Sequence, residues 1–411
     1  MPSNCRVSFA SRAVLVAAAL LVGAAVHAAE RSFDEDVAFL RQYADVVLLQ
    51  GAADGARVAV VPAWQGRVMT STAGGAAASS YGWSNDALIE SRKAAPHMNA
   101  LGGEDRLWLG PEGGQFSIFF RKGDPFDLAH WQTPPLVDSE PWAVRERSAA
   151  HVAFRHRGRL VNYSGTVLEL QLDRTVRLLD PGVAAAALGG PLPAGLRLVA
   201  FASKNTLTNV GPAAWTKQGG LLSLWVLGMF KPSPATTIVV PYQEGPESER
   251  GPVVNDAYFG KVPVDRLLAR DGRLFFSGDG RYRSKIGLSP RRARALLGSY
   301  DAARKALTIV SFDLPQGAVD YVNSMWEIQE QPFRGDVVNS YNDGPPAPGA
   351  RPLGPFYELE TSSPAAALAP GASLTHVHRT FHLEGDEAAL DAVARRLLGV
   401  SLERIRTALP R

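Results

Sequence analysis

Cysteine is all but missing from this sequence: Cys5 stands alone among 411 residues. That excludes a disulfide framework, a CxxC zinc site and a Cys-liganded iron–sulfur cluster. Net charge is also scarce. Lys and Arg number 43 against 40 Asp and Glu, a formal charge of +3. The pI near 9.0 therefore reflects a nearly balanced chain, and no electrostatic footprint for nucleic acid is present. Beyond the first thirty residues no apolar run is long enough to span a bilayer as a helix. GxSxG, HExxH, protein-kinase, P-loop and dinucleotide-binding signatures are all missing. No cofactor and no metal is expected.

The first thirty residues read as an address. Arg6 and Arg12 precede the apolar run Ala13–Ala25, and Val26-His27-Ala28 ends it in a small-x-small pattern. This is the grammar of a secretory signal peptide. Residues 1–28 are expected to be cleaved, taking Cys5 with them, and residues 29–411 to form a single β-sandwich domain. The expected location is periplasmic or secreted, with no stable membrane insertion after cleavage.

Turn formers are plentiful, with 39 Gly and 29 Pro. They separate short β-branched or alternating runs, the mark of strands. Strands are predicted at 46–50, 57–62, 67–72, 116–120, 167–172, 196–203, 221–227, 236–240, 274–277, 307–312, 336–341, 356–361 and 374–383. Helices are predicted after the Ser32…Glu35 capping box through about Tyr43, over Arg291–Leu297, and over Glu387–Leu409. The Pro-rich stretch 344–355 reads as a loop between strands. A dozen strands with few helices imply a mainly β protein, a large antiparallel sandwich with a short N-terminal and a C-terminal helix.

Three segments carry chemistry. His97–Phe120 packs His97, Asn99, Glu104, Asp105, Arg106, Trp108 and Glu112 around glycine pairs, a composition suited to ligand binding on a loop. The alternative is that Arg106 simply pairs with Glu104 or Asp105. Tyr321–Asp343 strings Trp326, Asn339, Tyr341 and Asn342 along expected paired strands, and Trp131 adds similar chemistry. Amides, carboxylates and flat aromatics read sugar hydroxyls and the apolar faces of sugar rings. The third segment, Phe356–Leu383, sets Glu358 and Glu360 on one face of a strand, because side chains alternate. Lining a pocket, they suit general acid–base chemistry; otherwise they form a solvated face. His376, His378 and His382 share another strand face, expected to look toward solvent or a shallow cleft. Arg283 and Lys285 suggest contact with an anionic sugar or, alternatively, an ordinary surface strand.

VAVVPAWQGRVMTST (58–72), GGEDRLWLGPEGG (102–114) and LETSSPAAALAPGASLTHVHRTFHL (359–383) together resemble the galactose-mutarotase-like (aldose 1-epimerase) superfamily. The match covers both ends of the chain and is loose between them. The runs LLSLWVLGMF, YFGKVP and NSYNDGP further resemble an exported bacterial family within that superfamily. The resemblance implies a β-supersandwich and a carbohydrate partner, a mono- or oligosaccharide. It makes Glu360 the catalytic base with Glu358 beside it, and Arg106 the residue that binds substrate. The remaining binding candidates are Glu112, His97, Asn99, Trp131, Trp326, Asn339, Tyr341 and Asn342. One feature departs from the pattern. The middle stretch holds Asn205 and Asn209 but no histidine, with Trp225 or Lys217 about where the superfamily's acid stands; His97 or His130 would have to supply the proton from another loop. The reading is an epimerase-like or glycan-processing enzyme, with a non-catalytic carbohydrate-binding protein as the alternative.

Overall fold

Strand alternation and turn chemistry resolve into three antiparallel sheets in the computed structural model, which describes residues 31–51 and 55–410. The signal-peptide expectation falls outside those residues. The Ser32 capping box forms as expected and opens a helix over Phe33–Arg41. The first strands are β1 (Val47–Gln50), β2 (Arg57–Val61), β3 (Arg67–Thr72) and β4 (Arg106–Gly110). Long meandering strands follow: β5 (Ala143–Arg147), β6 (His151–Val161), β7 (Val167–Leu178), β8 (Arg197–Asn209) and β9 (Ser223–Phe230). Then come β10 (Thr236–Pro241), β11 (Leu267–Arg270), β12 (Arg273–Ser277), β13 (Ser284–Leu288) and β14 (Leu296–Asp301). The last are β15 (Ala306–Phe312), β16 (Val338–Asn342), β17 (Tyr357–Ser362) and β18 (Ser373–Glu384).

β1-β2-β3 form a small sheet. Ten strands in the order β11-β12-β10-β14-β15-β18-β8-β7-β6-β5 form the large sheet, and β13-β16-β17-β9-β4 form a five-stranded sheet facing it. The contacts between these two sheets are legible in the alternation. Leu107, Leu109, Leu224 and Val226 of the five-stranded sheet share one apolar cluster with Leu170, Leu172 and Phe201 of the large sheet. Ile286, Leu288, Val338 and Leu359 share another with Ile238, Val310 and Phe312. Burying an aliphatic side chain of this size is worth about 1.5–3 kcal/mol, so these rows fix the register of the five-stranded sheet and decide which residues face the other way.

Around β10, β14, β15 and β18 the outer face of the large sheet is covered by the C-terminal helices Glu387–Leu397 and Leu402–Thr407, whose Leu390, Val393, Leu402 and Ile405 pack on Phe381 and Leu383. This corrects the expectation for the histidines. The apolar set of β18 lies under the helices, so His376, His378 and His382 point between the sheets and are fully buried. The Thr361 hydroxyl lies 2.8 Å from His376 Nε2 and 2.9 Å from His378 Nδ1. His382 is bonded to Thr308 and Glu104. Burial holds His376 down at about 3 and His378 at about 4, so both are neutral at ordinary pH.

Three further expectations need correction. Residues 116–120 are buried loop, with Ser117 bonded back to Gly114 and Glu112; the apolar run there signals burial, not a strand. The predicted helix at 291–297 is a single turn on Ser289, followed directly by β14, because pairing with β10 and β15 overrides local propensity. Of 321–343 only β16 is strand; the Gln329 side chain takes the carbonyls of Asn323 and Met325 and holds the rest as loop. Among the described residues no helix is long and apolar enough to cross a membrane.

Candidate functional site

The five-stranded sheet has one face on the core, so its alternate residues project the opposite way. Register aligns them across the strands: Lys285 opposite Tyr341, Tyr341 opposite Glu358, and Asn339 opposite Glu360. Glu360 stands opposite Leu227, Ser362 opposite Trp225, Leu227 opposite Arg106, and Trp225 opposite Trp108. One face thus carries Lys285, Asn339, Tyr341, Glu358, Glu360, Trp225, Arg106 and Trp108.

Loops fold over this face and enclose a cavity of about 670 Å³. From the sheet, Ser223, Trp225, Lys285, Asn339, Tyr341 and Ser362 line it; from the loops come His97, Glu112, Trp131, Tyr258, Phe259, Arg283, Trp326, Asp336 and Asp343. Gly287 makes room for one wall. It lies opposite Asn339, and a Cβ there would fall 2.2 Å from Asp336 Oδ2.

Beneath the lining lies a buried ionic layer. Glu360 is wholly buried; its Oε2 accepts hydrogen bonds from Lys285 Nζ at 3.0 Å and Trp225 Nε1 at 2.9 Å, while Oε1 is buried without a partner. Arg106, 2% exposed, reaches Glu358 at 3.4 Å and packs its guanidinium 4.2 Å from the Trp108 ring. Burial and the neighbouring Glu360 push Glu358 up to about 8 despite Arg106 and Lys285. Burial works against the Lys285 charge, but Glu360, Glu112 and Glu358 outweigh it and raise its pKa. Lys285 is therefore a fixed cation in the cavity wall, 4.7 Å from the Trp225 ring centroid.

The cavity carboxylates are held differently. Burial raises Glu112, against the pull of Lys285 and a hydrogen bond from Trp326. Asp336 accepts from the Tyr258 hydroxyl at 2.7 Å and Asn255 Nδ2 at 2.9 Å, and burial raises it too. Asp343 accepts from the Tyr341 hydroxyl at 2.8 Å and is likewise raised by burial. His97 Nδ1 lies 2.8 Å from the Trp131 carbonyl oxygen. A carbonyl only accepts, so Nδ1 carries the hydrogen and Nε2 is left to exchange protons. Trp131 and Trp326 stack with centroids 5.9 Å apart at 26°.

The expected site residues therefore divide. Glu112, His97, Trp131, Trp326, Asn339 and Tyr341 converge on the cavity. Glu360, Glu358 and Arg106 are brought together on the same face but under its lining, held by one another and by Lys285. Asn99 is turned away, bonded to Asp138. Asn342 lies on the opposite strand face and ties Asp279 to the Tyr282 carbonyl. Arg106 does not pair with its sequence neighbours. Asp105 goes to Arg174 at 2.7 Å and Glu104 to Ser71 and His382. The turn that splays the three charges rests on Gly102 and Gly103, at φ +97° and +107°. His130 is tied to Asp127 and Lys217 to Asp320, both away from the cavity lining.

Tyr258 and Asp336 carry no site expectation from the sequence, and Lys285, expected either against an anionic sugar or on a surface strand, is in the cavity wall. A signal existed all the same: the runs holding Trp225, Tyr258-Phe259 and Asn339–Pro345 all contribute to this one cavity.

No protein of curated function matches the chain. Among solved structures it is similar to the Slr1438 protein from Synechocystis sp. PCC 6803, at TM-score 0.49 and 12% identity, over 84% of this chain and 96% of that one. It is also similar to a galactose mutarotase-like protein from Lactobacillus casei ATCC 334, at TM-score 0.44 and 11% identity, over 82% of this chain and all of that one. A galactose mutarotase related enzyme from Lactobacillus acidophilus follows at TM-score 0.42 and 9% identity, over 83% of this chain and 97% of that one. Scores and identities this low say nothing of chemistry, which must come from the side chains themselves. The model of DUF6786, a family of unknown function, matches residues 31–409, and the chain belongs to that family.

Proposed function

We propose that this chain is a carbohydrate-active protein of the bacterial envelope whose cavity binds a mono- or oligosaccharide and exchanges protons with it. The observation that carries the reading is the Trp131–Trp326 wall with Glu112 hydrogen-bonded at its edge. Stacked indoles offer an apolar platform to a sugar ring, and a planar carboxylate beside them meets hydroxyls that both donate and accept. The secretory pattern in residues 1–28 supports the envelope location.

In this reading Glu112 and His97 are the proton-exchanging groups. Glu112 is raised toward the range useful to a general acid or base, and His97 has its ring fixed with Nε2 free to exchange. For an epimerase-like reaction one group takes the proton of the anomeric hydroxyl and the other protonates the ring oxygen. The C1–O bond of the ring then breaks and re-forms on the other face. Lys285 supplies fixed positive charge beside the oxygens. Glu360, expected as the base, instead holds Lys285 and Trp225 in place from below.

A second reading, binding without turnover, is favoured by the full burial of Glu360 and the lack of a histidine in residues 204–230. The test is anomer exchange, or glycan turnover followed by NMR, for the wild type, Glu112→Gln and Glu360→Gln. The enzyme reading expects catalysis to fall about 10²–10⁴-fold in Glu112→Gln with saccharide still bound. Saccharide binding with no turnover in the wild type establishes the second reading instead.

A further inference from the structure

At the mouth of the cavity Arg283 touches no carboxylate, although Glu112 and Asp343 lie near enough to feel its charge. Arg283 lines it beside Lys285, yet among the described residues its guanidinium makes no hydrogen bond and no ion pair. It is held 3.9 Å from the ring of Phe259, which is 44% exposed. Phe259 in turn packs edge-on against Tyr341, at 5.8 Å and 74°. Its neighbour Lys285 is bonded to Glu360, whereas Arg283 makes only the ring contact and acts on Glu112 and Asp343 through space. Arg351, another lining residue, also has no hydrogen bond or ion pair among the described residues. Four carboxylates line the cavity: Asp343 is taken by Tyr341 and the Gly354 amide, Asp336 by Tyr258 and Asn255, and Glu112 accepts from Trp326, while Glu327 is exposed to solvent. A rigid fork of donors, pre-oriented on an aromatic face and aimed into a cavity, fits a planar two-oxygen anion.

Building on the carbohydrate reading, we propose that the natural ligand is an acidic saccharide, one whose uronate carboxylate is taken by Arg283 at the mouth while a neighbouring ring lies on the Trp131–Trp326 wall. Phe259 orients the fork and offers its exposed face to the same sugar unit. Arg351 adds a second positive charge to the rim. The ligand thus spans from rim to wall, which calls for an oligosaccharide in preference to a single free sugar.

The experiment is calorimetric titration of the full chain with uronate-bearing oligosaccharides, each paired with its carboxyl-reduced neutral counterpart. Titrations run on the wild type, Arg283→Gln and Arg283→Lys, with thermal melting as a folding control. A uronate ligand is expected to bind the wild type about tenfold or more tighter than its neutral partner, the scale of a charged hydrogen-bonded contact. Arg283→Gln should erase that preference, so that each uronate member binds no tighter than its neutral partner, and Arg283→Lys, which keeps charge but loses the fork, should restore part of it. Added salt should narrow the gap. Equal or tighter binding of the neutral members, or a preference that survives Arg283→Gln, overturns the proposal while the carbohydrate reading stands. Failure of the wild type to bind any member of either set overturns both.

Discussion

Lys285 Nζ donates to Glu360 Oε2 across 3.0 Å, the ammonium in the cavity wall and the carboxylate wholly buried beneath it. The pair links the sheet to the site. Glu360 comes from the middle strand β17 and Lys285 from the edge strand β13, with β16 between them. A buried pair of this kind adds little net stability compared with apolar substitutes, but losing one partner strands the other. Glu360→Gln is therefore expected to lower the unfolding free energy by about 3–5 kcal/mol. The double variant Glu360→Gln, Lys285→Met should recover much of that loss. Urea denaturation of the four members of the cycle checks both statements; strictly additive effects would show that the pair is not coupled.

Arg174 and Asp105 form a second buried pair away from the cavity, at 2.7 Å with both side chains fully covered. Arg174 also serves the Gly66 carbonyl and Asn205. Arg174→Met should cost about 3–5 kcal/mol in stability and leave saccharide affinity unchanged in the protein that remains folded. Denaturation and titration of the same preparation separate the two effects.

Acid sensitivity should come from the histidines between the sheets. Burial holds His376 near 3 and His378 near 4 in the folded chain, against 6.5 for an ordinary imidazole. Between those limits the unfolded chain binds more protons, so stability rises with pH there. It is complete above about 6.5 and is lost as pH falls toward 4 and 3. The melting temperature of His376→Gln should vary less steeply between pH 4 and 6.5 than that of the wild type.

Glu358 works in the opposite direction. Its pKa of about 8, raised from 4.5, means the folded chain keeps a proton that the unfolded chain has released. Stability should therefore decline as pH rises from about 4.5 to 8, and Glu358→Gln should remove that decline. Melting curves from pH 6.5 to 8.5, where His376 and His378 are silent, isolate the effect.

Gly287 offers a probe of the cavity that touches no charge. A methyl group there would displace the Asp336 carboxylate and the Asn339 amide. Gly287→Ala is expected to weaken ligand binding about tenfold or more, consistent with small misplacements in a preorganised site. Calorimetric titration of Gly287→Ala beside the wild type, with far-UV circular dichroism to confirm folding, checks this.

Local pattern carried much of this structure. The capping box at Ser32 and the run Arg67–Thr72 appear as expected, because the first is closed by residues three apart and the second pairs with the adjacent strand β2. The shared face of Glu358 and Glu360 was legible from alternation, but what covers that face was not. Their burial depends on Arg106, Lys285 and Trp225, which lie far away in sequence and arrive only through strand pairing. The histidines of β18 were misjudged for the same kind of reason: the apolar face of the strand belongs to the C-terminal helices, and the space between the sheets takes the polar one. The ionisable residues around the cavity come partly from loops: Tyr258 left no periodic trace, and Asp336, expected at the head of a strand, lies in the loop before β16.

The central claim is that the cavity under the Trp131–Trp326 wall is a saccharide site. Trp131, Trp225 and Trp326 all line it, so indole fluorescence of the full chain titrated with the neutral and uronate saccharides tests it most directly. A saturable change in emission, abolished in Trp326→Ala and weakened in Glu112→Gln, is the predicted result. No saturable change with any saccharide, or a change that persists undiminished in Trp326→Ala, would contradict the account.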